Sequence, residues 1–312
     1  MVFSVFCVLY GDEEINARGD EMNCLFTVEE FIILLTECQT IRVEDRWLLL
    51  VEHFPSLLNT LDFYWLENIR LTSRRRKAFK DYLVDINIEE TFKKYQNQSW
   101  KYVTFFDLDY PLLLKESYTP PLLLYYKGDI ALASRPTLAV IGARNHSEYS
   151  VNCLEKLLPP IINEEIVIVS GLARGVDTLA HKLAVLHNGQ TVAVIGCGLD
   201  VVYPKENKSL QEHLCNNHLV LSEYPPDIKP QKTHFPMRNR IIAGISQGVL
   251  ITEARRRSGT LITARMALDE GRDIYVVPGP INQPLSEGTN RLIVEGATPV
   301  IDAVQIINDR LF

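Results

Sequence analysis

Three junctions in this chain gather glycines, hydroxyls and cations in an order suited to binding an anion. In Ile166-Val-Ile-Val-Ser-Gly-Leu-Ala-Arg-Gly-Val-Asp-Thr-Leu-Ala-His181 an apolar β-branched run stops at Ser170-Gly171, and a helical pattern begins after Asp177. A strand, a glycine turn and a helix start leave unpaired backbone N–H groups at the positive end of a helix dipole, which suits a phosphate. Arg174 in the turn adds a cation, and Asp177 is placed to cap the helix. A second copy runs from Thr137-Leu-Ala-Val-Ile141 into Gly142-Ala-Arg144, and a third from Thr191-Val-Ala-Val-Ile195 into Gly196-Cys-Gly198. Gly142 lets a ligand approach the backbone, and Arg144 offers a two-pronged fork to a phosphate. The third copy has Val201 where a dinucleotide fingerprint needs its last glycine, so it reads as a structural turn. Ser170, His181 and Asp177 superficially compose a hydrolytic triad. No G-x-S-x-G elbow surrounds the serine, and His181 reads as a packed histidine.

Two further segments are rich in cations. Lys232-Thr-His-Phe235-Pro-Met-Arg238-Asn-Arg240 puts three positive charges and a ring within nine residues, the mixture that single-stranded nucleic acid needs for phosphates and a base. Pro236 is expected to hold Phe235 extended. Thr252-Glu253-Ala-Arg-Arg-Arg-Ser258-Gly259-Thr260 opens a helix at its end and forms another N-terminus suited to an anion. Glu253 at a strand end could bind a sugar hydroxyl or pair with Arg238, and pairing is the favoured expectation. Between Pro225 and Tyr275 nine cations face five carboxylates, although the 312-residue chain carries a net charge of −7. A local basic strip on an acidic protein marks a defined anionic ligand, and excludes a protein coated in nucleic acid.

The elements that must position these residues are legible as apolar runs. Strands are expected at 138–141, 167–170, 192–195, 219–222, 248–252, 274–277 and 299–301, most of them separated by enough chain for a helix. Continuous β-branched runs alternating with helices predict an α/β fold: an extended, Rossmann-like, mostly parallel sheet covered by helices on both faces. Ligands in such folds sit at the carboxyl ends of the strands. Leu122–Tyr126 reads as an extra strand added after a proline-marked connector. Residues 1–105 read as a small helical domain, with apolar periodicity at 28–35, 47–51 and 63–66. Residues 106–312 form the main domain. Pro55 and Thr72-Ser73 mark helix boundaries, with Ser73 as a cap, and Arg74-Arg-Arg-Lys77 reads as a solvated face. The apolar start, Met1–Tyr10, fits a core strand better than a signal peptide, and no run approaches the roughly 20 residues that span a bilayer. The six cysteines lie far apart with no C-x-x-C pair, so neither a metal site nor a disulfide framework is expected and a reducing cytoplasm is the natural setting.

Taken together the motifs resemble the DprA/Smf family of bacterial DNA processing proteins. The blocks that match are Val140-Ile-Gly142-Ala-Arg144, Ser170 to His181, Gly196-Cys-Gly198 with Tyr203-Pro204, Ser222-Glu-Tyr224-Pro225, Phe235-Pro-Met-Arg-Asn-Arg-Ile-Ile-Ala243, and Glu253-Ala with Ser258-Gly259-Thr260. With Tyr110-Pro111 and Pro121–Tyr125 they cover about residues 105–300. The resemblance implies a homodimeric protein that binds and protects incoming single-stranded DNA and loads RecA recombinase onto it during natural transformation and recombination, with no catalysis and no cofactor. It carries the DNA pocket to Arg144, the Ser170-Gly171 turn, Lys232 and Phe235, with Arg238 and Arg240 lining it by proximity. Gly142, Arg174, Ser258, Gly259 and Thr260 complete the expected DNA-binding set. Residues 1–105 show no clean helix-hairpin-helix signature, and the sequence stops at Phe312, short of the winged-helix tail that many members carry. Leu292–Val294 and Val304–Leu311 are candidate dimer surfaces.

The alternative is a phosphoribohydrolase of the lysine-decarboxylase-like type, which shares the fold and Gly259-Thr260. That family uses G-G-x-G-T-x-x-E, whereas this chain has Arg256 and Arg257 for the first glycines and Thr263 for the catalytic glutamate. A mononucleotide-binding sensor uses the same phosphate sites but saturates with a single nucleotide.

Overall fold

The computed structural model describes residues 27–57, 70–96 and 98–309. The expected strand at Met1–Tyr10 and helix at 63–66 lie outside the described residues. The chain divides into two compact units, Met1–Gln98 and Ser99–Phe312.

The first unit is helical among its described residues: α1 (Val28–Glu37), α2 (Val43–Leu57), α3 (Ser73–Asp85) and α4 (Ile88–Lys93). Thr27 starts α1 with a reciprocal cap, its hydroxyl accepting from Glu30 N at 3.1 Å while the Glu30 carboxylate accepts from Thr27 N at 2.7 Å. Pro55 lies within α2 instead of ending it, and Thr72, not Ser73, precedes α3. The basic run on α3 is divided. Arg74 and Lys77 are exposed, Arg75 pairs with Asp45 at 3.1 Å, and Arg76 donates to the Leu71 carbonyl at 3.3 Å.

The second unit is built on a nine-stranded sheet: β1 (Lys101–Thr104), β2 (Leu123–Gly128), β3 (Thr137–Ile141), β4 (Val167–Ser170), β5 (Thr191–Ile195), β6 (Leu219–Ser222), β7 (Gly248–Ile251), β8 (Asp273–Val276) and β9 (Thr298–Pro299). Strand order is β1-β2-β6-β5-β4-β3-β7-β8-β9. Every pairing from β6 through β9 is parallel, while β2 joins β6 and β1 joins β2 antiparallel. All seven expected parallel strands form, and Leu123–Gly128 is the added strand. β1, absent from the expected strands, hydrogen-bonds to β2.

The helices of this unit are α5 (Leu112–Lys115), α6 (Glu148–Asn163), α7 (Val176–Leu186), α8 (Lys208–Asn217), α9 (His234–Gly244), α10 (Gly259–Asp269), α11 (Glu287–Val294) and α12 (Val304–Ile307). One face of the sheet packs Leu138, Val140, Ile168 and Leu250 against Leu154, Leu158 and Ile161 of α6 and Ala180 of α7. The other layer is made by α9 and α10, which pack on each other and over β5, β7 and β8. Strands buried on both faces explain why their sequences are continuous apolar runs and not alternating ones. The chain walks outward from β3 to β6 and returns to the other side of β3 at β7. This puts a topological switch point between β3 and β7, and the loops after β3, β4, β5 and β7 on one edge.

Candidate functional site

A cleft of about 300 Å³ opens at the carboxyl ends of β3, β4 and β5. Its walls are Arg144 and Asn145 after β3, Gly171, Ala173 and Arg174 after β4, Gly196 after β5, Tyr203-Pro204, and Phe235 and Arg238 from α9. Two of its loops are locked together at Gly175. That residue has φ +83°, and a Cβ there would lie 2.3 Å from the Ala143 carbonyl oxygen, so only glycine lets the β4 loop lie against the β3 loop. Val176 N donates to the same carbonyl at 3.2 Å. Leu172 is also left-handed, at φ 52°, and fully buried. Such strain in a non-glycine residue persists only where surrounding packing overrides it.

Phe235 is the ring of the cleft. Proline after it does not hold it extended: Phe235 and Pro236 both lie in the first turn of α9. The N–H that proline lacks has no intrahelical partner in a first turn, which removes the usual cost of Pro in a helix. The turn is fixed by His234, whose ring stacks on Tyr224 at 3.9 Å and whose Nδ1 lies 3.2 Å from the Gly196 carbonyl oxygen. Phe235 therefore rests on Gly196, where a Cβ would come within 3.1 Å of its Cδ1. The exposed Arg144 guanidinium sits 5.6 Å from the Phe235 ring centroid, and Tyr203 lies 5.5 Å from it on an adjoining loop. The Tyr203 ring is 42% exposed. Its sequence neighbourhood gave no sign of this position, because only the packing of the β5 loop against α9 brings it there.

The two arginines of α9 are not surface cations. Arg238 is buried beneath the cleft, donating through Nη1 to the carbonyls of Gly171, at 2.5 Å, and of Val194, and through Nε to Asn239 Oδ1 at 3.1 Å. Burial pushes its pKa down, opposed by the nearby carboxylate of Asp177, itself buried. A Cβ on Gly171 would strike that guanidinium at 2.5 Å. Arg240 forms no part of the cleft wall. It donates to both oxygens of Glu223 at 2.5 Å and to the Thr119 carbonyl at 2.6 Å, in a pair whose side chains are 9% and 3% exposed. The pairing of Glu253 with Arg238 expected from the sequence does not form. Glu253 accepts from Ser147 N at 2.8 Å and Ser147 Oγ at 2.5 Å, tying the β7 loop to the β3 loop.

Of the expected DNA-binding residues, Arg144, Gly171, Arg174, Phe235 and Arg238 converge on the cleft. Arg174 stands at its exposed rim and is engaged by the carboxylate of Glu206, a neighbour 32 positions away that the sequence did not flag. Ser170 is fully buried and donates to the Val140 carbonyl at 2.7 Å, so its hydroxyl faces the sheet and not a ligand. Gly142 is a packing glycine: a Cβ there would meet Val176 and Thr252 at under 3 Å. Thr260 donates to the Gly142 carbonyl at 3.0 Å, holding the start of α10 against the β3 loop, and Ser258 and Gly259 lie at the same place. None of these five residues lines the cleft. Lys232 is exposed on the turn before α9.

The triad does not assemble. His181 is fully buried with Nδ1 2.7 Å from Thr191 Oγ1, and Thr191 spends its only hydroxyl proton on the Ile168 carbonyl at 2.6 Å. Nδ1 must therefore be the protonated nitrogen, leaving Nε2 buried without a partner; burial lowers the His181 pKa to about 3. Cys197 beside the cleft has its thiol pushed up to about 11 by burial, which leaves it protonated at neutral pH. At the position where the phosphoribohydrolases carry glutamate, Thr263 is buried and donates to the Gly259 carbonyl at 3.3 Å. No cluster of three metal-ligating side chains and no helix long and apolar enough to cross a membrane occurs among the described residues.

Fold and cleft define a class: a Rossmann-like α/β protein with an arginine-rich, aromatic-lined groove on the ligand edge of its sheet. Within that class the chain belongs to the DNA recombination-mediator protein A family, whose profile it matches over residues 101–310. It is 47% identical over 223 residues to the DNA processing protein DprA of Streptococcus pneumoniae, covering 72% of this chain and 77% of that protein. It is 40% identical over 216 residues to DprA of Bacillus subtilis, covering 69% and 73%. The X-ray structure of the S. pneumoniae protein is similar with a TM-score of 0.80 at 39% identity, over 90% of this chain and 97% of that one. DNA processing protein A of Helicobacter pylori, whose structure concerns a unique single-stranded DNA binding mode, is similar with a TM-score of 0.60 at 34% identity, over 66% and 94%.

Proposed function

We propose that the cleft holds single-stranded DNA, with Arg144 and Arg174 on phosphates and Phe235, flanked by Tyr203, against a base. The observation that carries this is the Arg144–Phe235–Tyr203 grouping beside three strand ends. A cation and a second ring, each within 6 Å of the Phe235 ring, serve a strand, whose charges and π-faces alternate, better than an isolated phosphate. Arg238 acts from below: it fixes the Gly171 turn and adds buried positive charge under the groove. Its hydrogen bonds are spent on carbonyls, so it positions the turn and makes no direct claim on DNA.

The family resemblance extends this reading to protection of incoming DNA, loading of RecA recombinase and a homodimer during transformation and recombination, in the cytoplasm, without catalysis. Support for a non-catalytic role lies in the chemistry of the groove. Ser170, His181 and Cys197 line no part of it and are buried in structural or protonated states, and threonine stands at the hydrolase glutamate position. Fluorescence anisotropy of labelled single- and double-stranded oligonucleotides at several salt concentrations, challenged with free mononucleotide, tests the reading. Salt-sensitive preference for the single strand is the expected result. Saturation by a mononucleotide with no strand binding overturns it in favour of a nucleotide sensor.

A further inference from the structure

We infer that the bound strand does not end in the cleft but runs on across the switch point, and that Arg255, Arg256 and Arg257 form a second phosphate-contacting subsite. This rests on the reading of the cleft as a single-strand site. The three arginines follow β7 at the same edge of the sheet, and all three are exposed. They form no ion pair among the described residues. The carboxylate of their own loop, Glu253, has both oxygens held by Ser147 and makes no ion pair with them.

Their surface is continuous with the cleft. The β7 loop is pinned to the β3 loop at two points, Glu253 to Ser147 and Thr260 to the Gly142 carbonyl, and Arg144 lies between those anchors. With β5, β4, β3 and β7 adjacent in that order, at about 4.8 Å per strand the β7 strand end lies about 5 Å from the β3 wall of the cleft and about 14 Å from its β5 wall. A few nucleotides cover that distance. Three guanidinium groups without an ion pair, on a loop tied at Glu253 and Thr260, match an extended phosphodiester backbone, because each offers a planar fork to one phosphate and none depends on base identity.

The test uses oligothymidylates of increasing length against the full chain and the triple variant Arg255→Ser/Arg256→Ser/Arg257→Ser. The substituted side chains are exposed, so thermal melting should match the wild type and serves as the folding control. Short oligomers that fill only the cleft should bind the variant as they bind the wild type. Longer ones should bind at least ten-fold more weakly, with a salt dependence shallower by about 2 in log affinity against log salt, as expected for three lost phosphate contacts. Equal affinity of variant and wild type at every length overturns the subsite and leaves the loop to an acidic protein surface. An equal loss on short and long oligomers also overturns it, by assigning the effect to the cleft. If the wild type binds no oligomer of any length, the reading of the cleft falls first and the subsite with it.

Discussion

Arg240 offers the sharpest separation of structural from ligand-binding cations. Its sequence context, two residues after Arg238 and five after Phe235, assigns it to DNA, whereas its geometry assigns it to the core. Arg240→Ala strips a buried carboxylate of its only counterion in the pair and leaves the Thr119 carbonyl without its donor. Removing one partner of a buried ion pair costs about 3–5 kcal/mol. For a unit of this size each kcal/mol lowers the melting temperature by roughly 2–4 °C, so a loss of about 6–20 °C is expected. The double variant Arg240→Met/Glu223→Leu should recover most of that loss, since apolar residues of similar volume replace both charges. In DNA titrations with variant protein shown to be folded, the slope of log affinity against log salt should stay at the wild-type value. Arg144→Ala is the mirror image: melting within about 0.5 kcal/mol of wild type, and a slope shallower by about 0.7, one single-strand phosphate. An Arg240→Ala protein that melts normally and loses that 0.7 refutes the argument from burial and returns the side chain to the DNA.

Phe235→Ala should weaken single-strand binding by about 1–3 kcal/mol through lost base stacking, with the salt slope unchanged; wild-type affinity in a folded variant would make the ring structural. Gly171→Ala forces the Arg238 guanidinium off the turn, so binding and stability should fall together, and Arg238→Met in the same background should restore stability more than affinity. His181 stays neutral in the folded protein with a pKa near 3, while an unfolded histidine takes up a proton below about 6.5. Its contribution to stability is therefore complete above pH 6.5 and is lost as pH falls toward 3, by up to about 1.4 kcal/mol per pH unit. Urea denaturation at stepped pH should show that acid limb flattened in His181→Met, and an identical limb in both proteins would place the acid sensitivity elsewhere.

The amino-acid sequence by itself determined the strands and the edge at which the site lies. Seven runs of buried β-branched residues separated by helix-length segments admit little but a parallel sheet with covered faces, and the glycines after β3, β4 and β5 mark its ligand edge. These features are local: they follow from the continuous apolar runs of strands buried on both faces, the 3.6-residue repeat of a helix and the conformations open only to glycine. Which cation meets the ligand was decided by tertiary structure. Arg238 and Arg240 differ by two positions on one helix, yet one braces carbonyls 67 and 44 residues away and the other pairs with a carboxylate 17 residues away. Arg174 meets Glu206 across 32 residues, and Tyr203 reaches Phe235 from another loop. Partners so distant in the chain leave no trace in spacing, because a side chain's charge is local information while its burial and its counterion depend on how the sheet's loops come together.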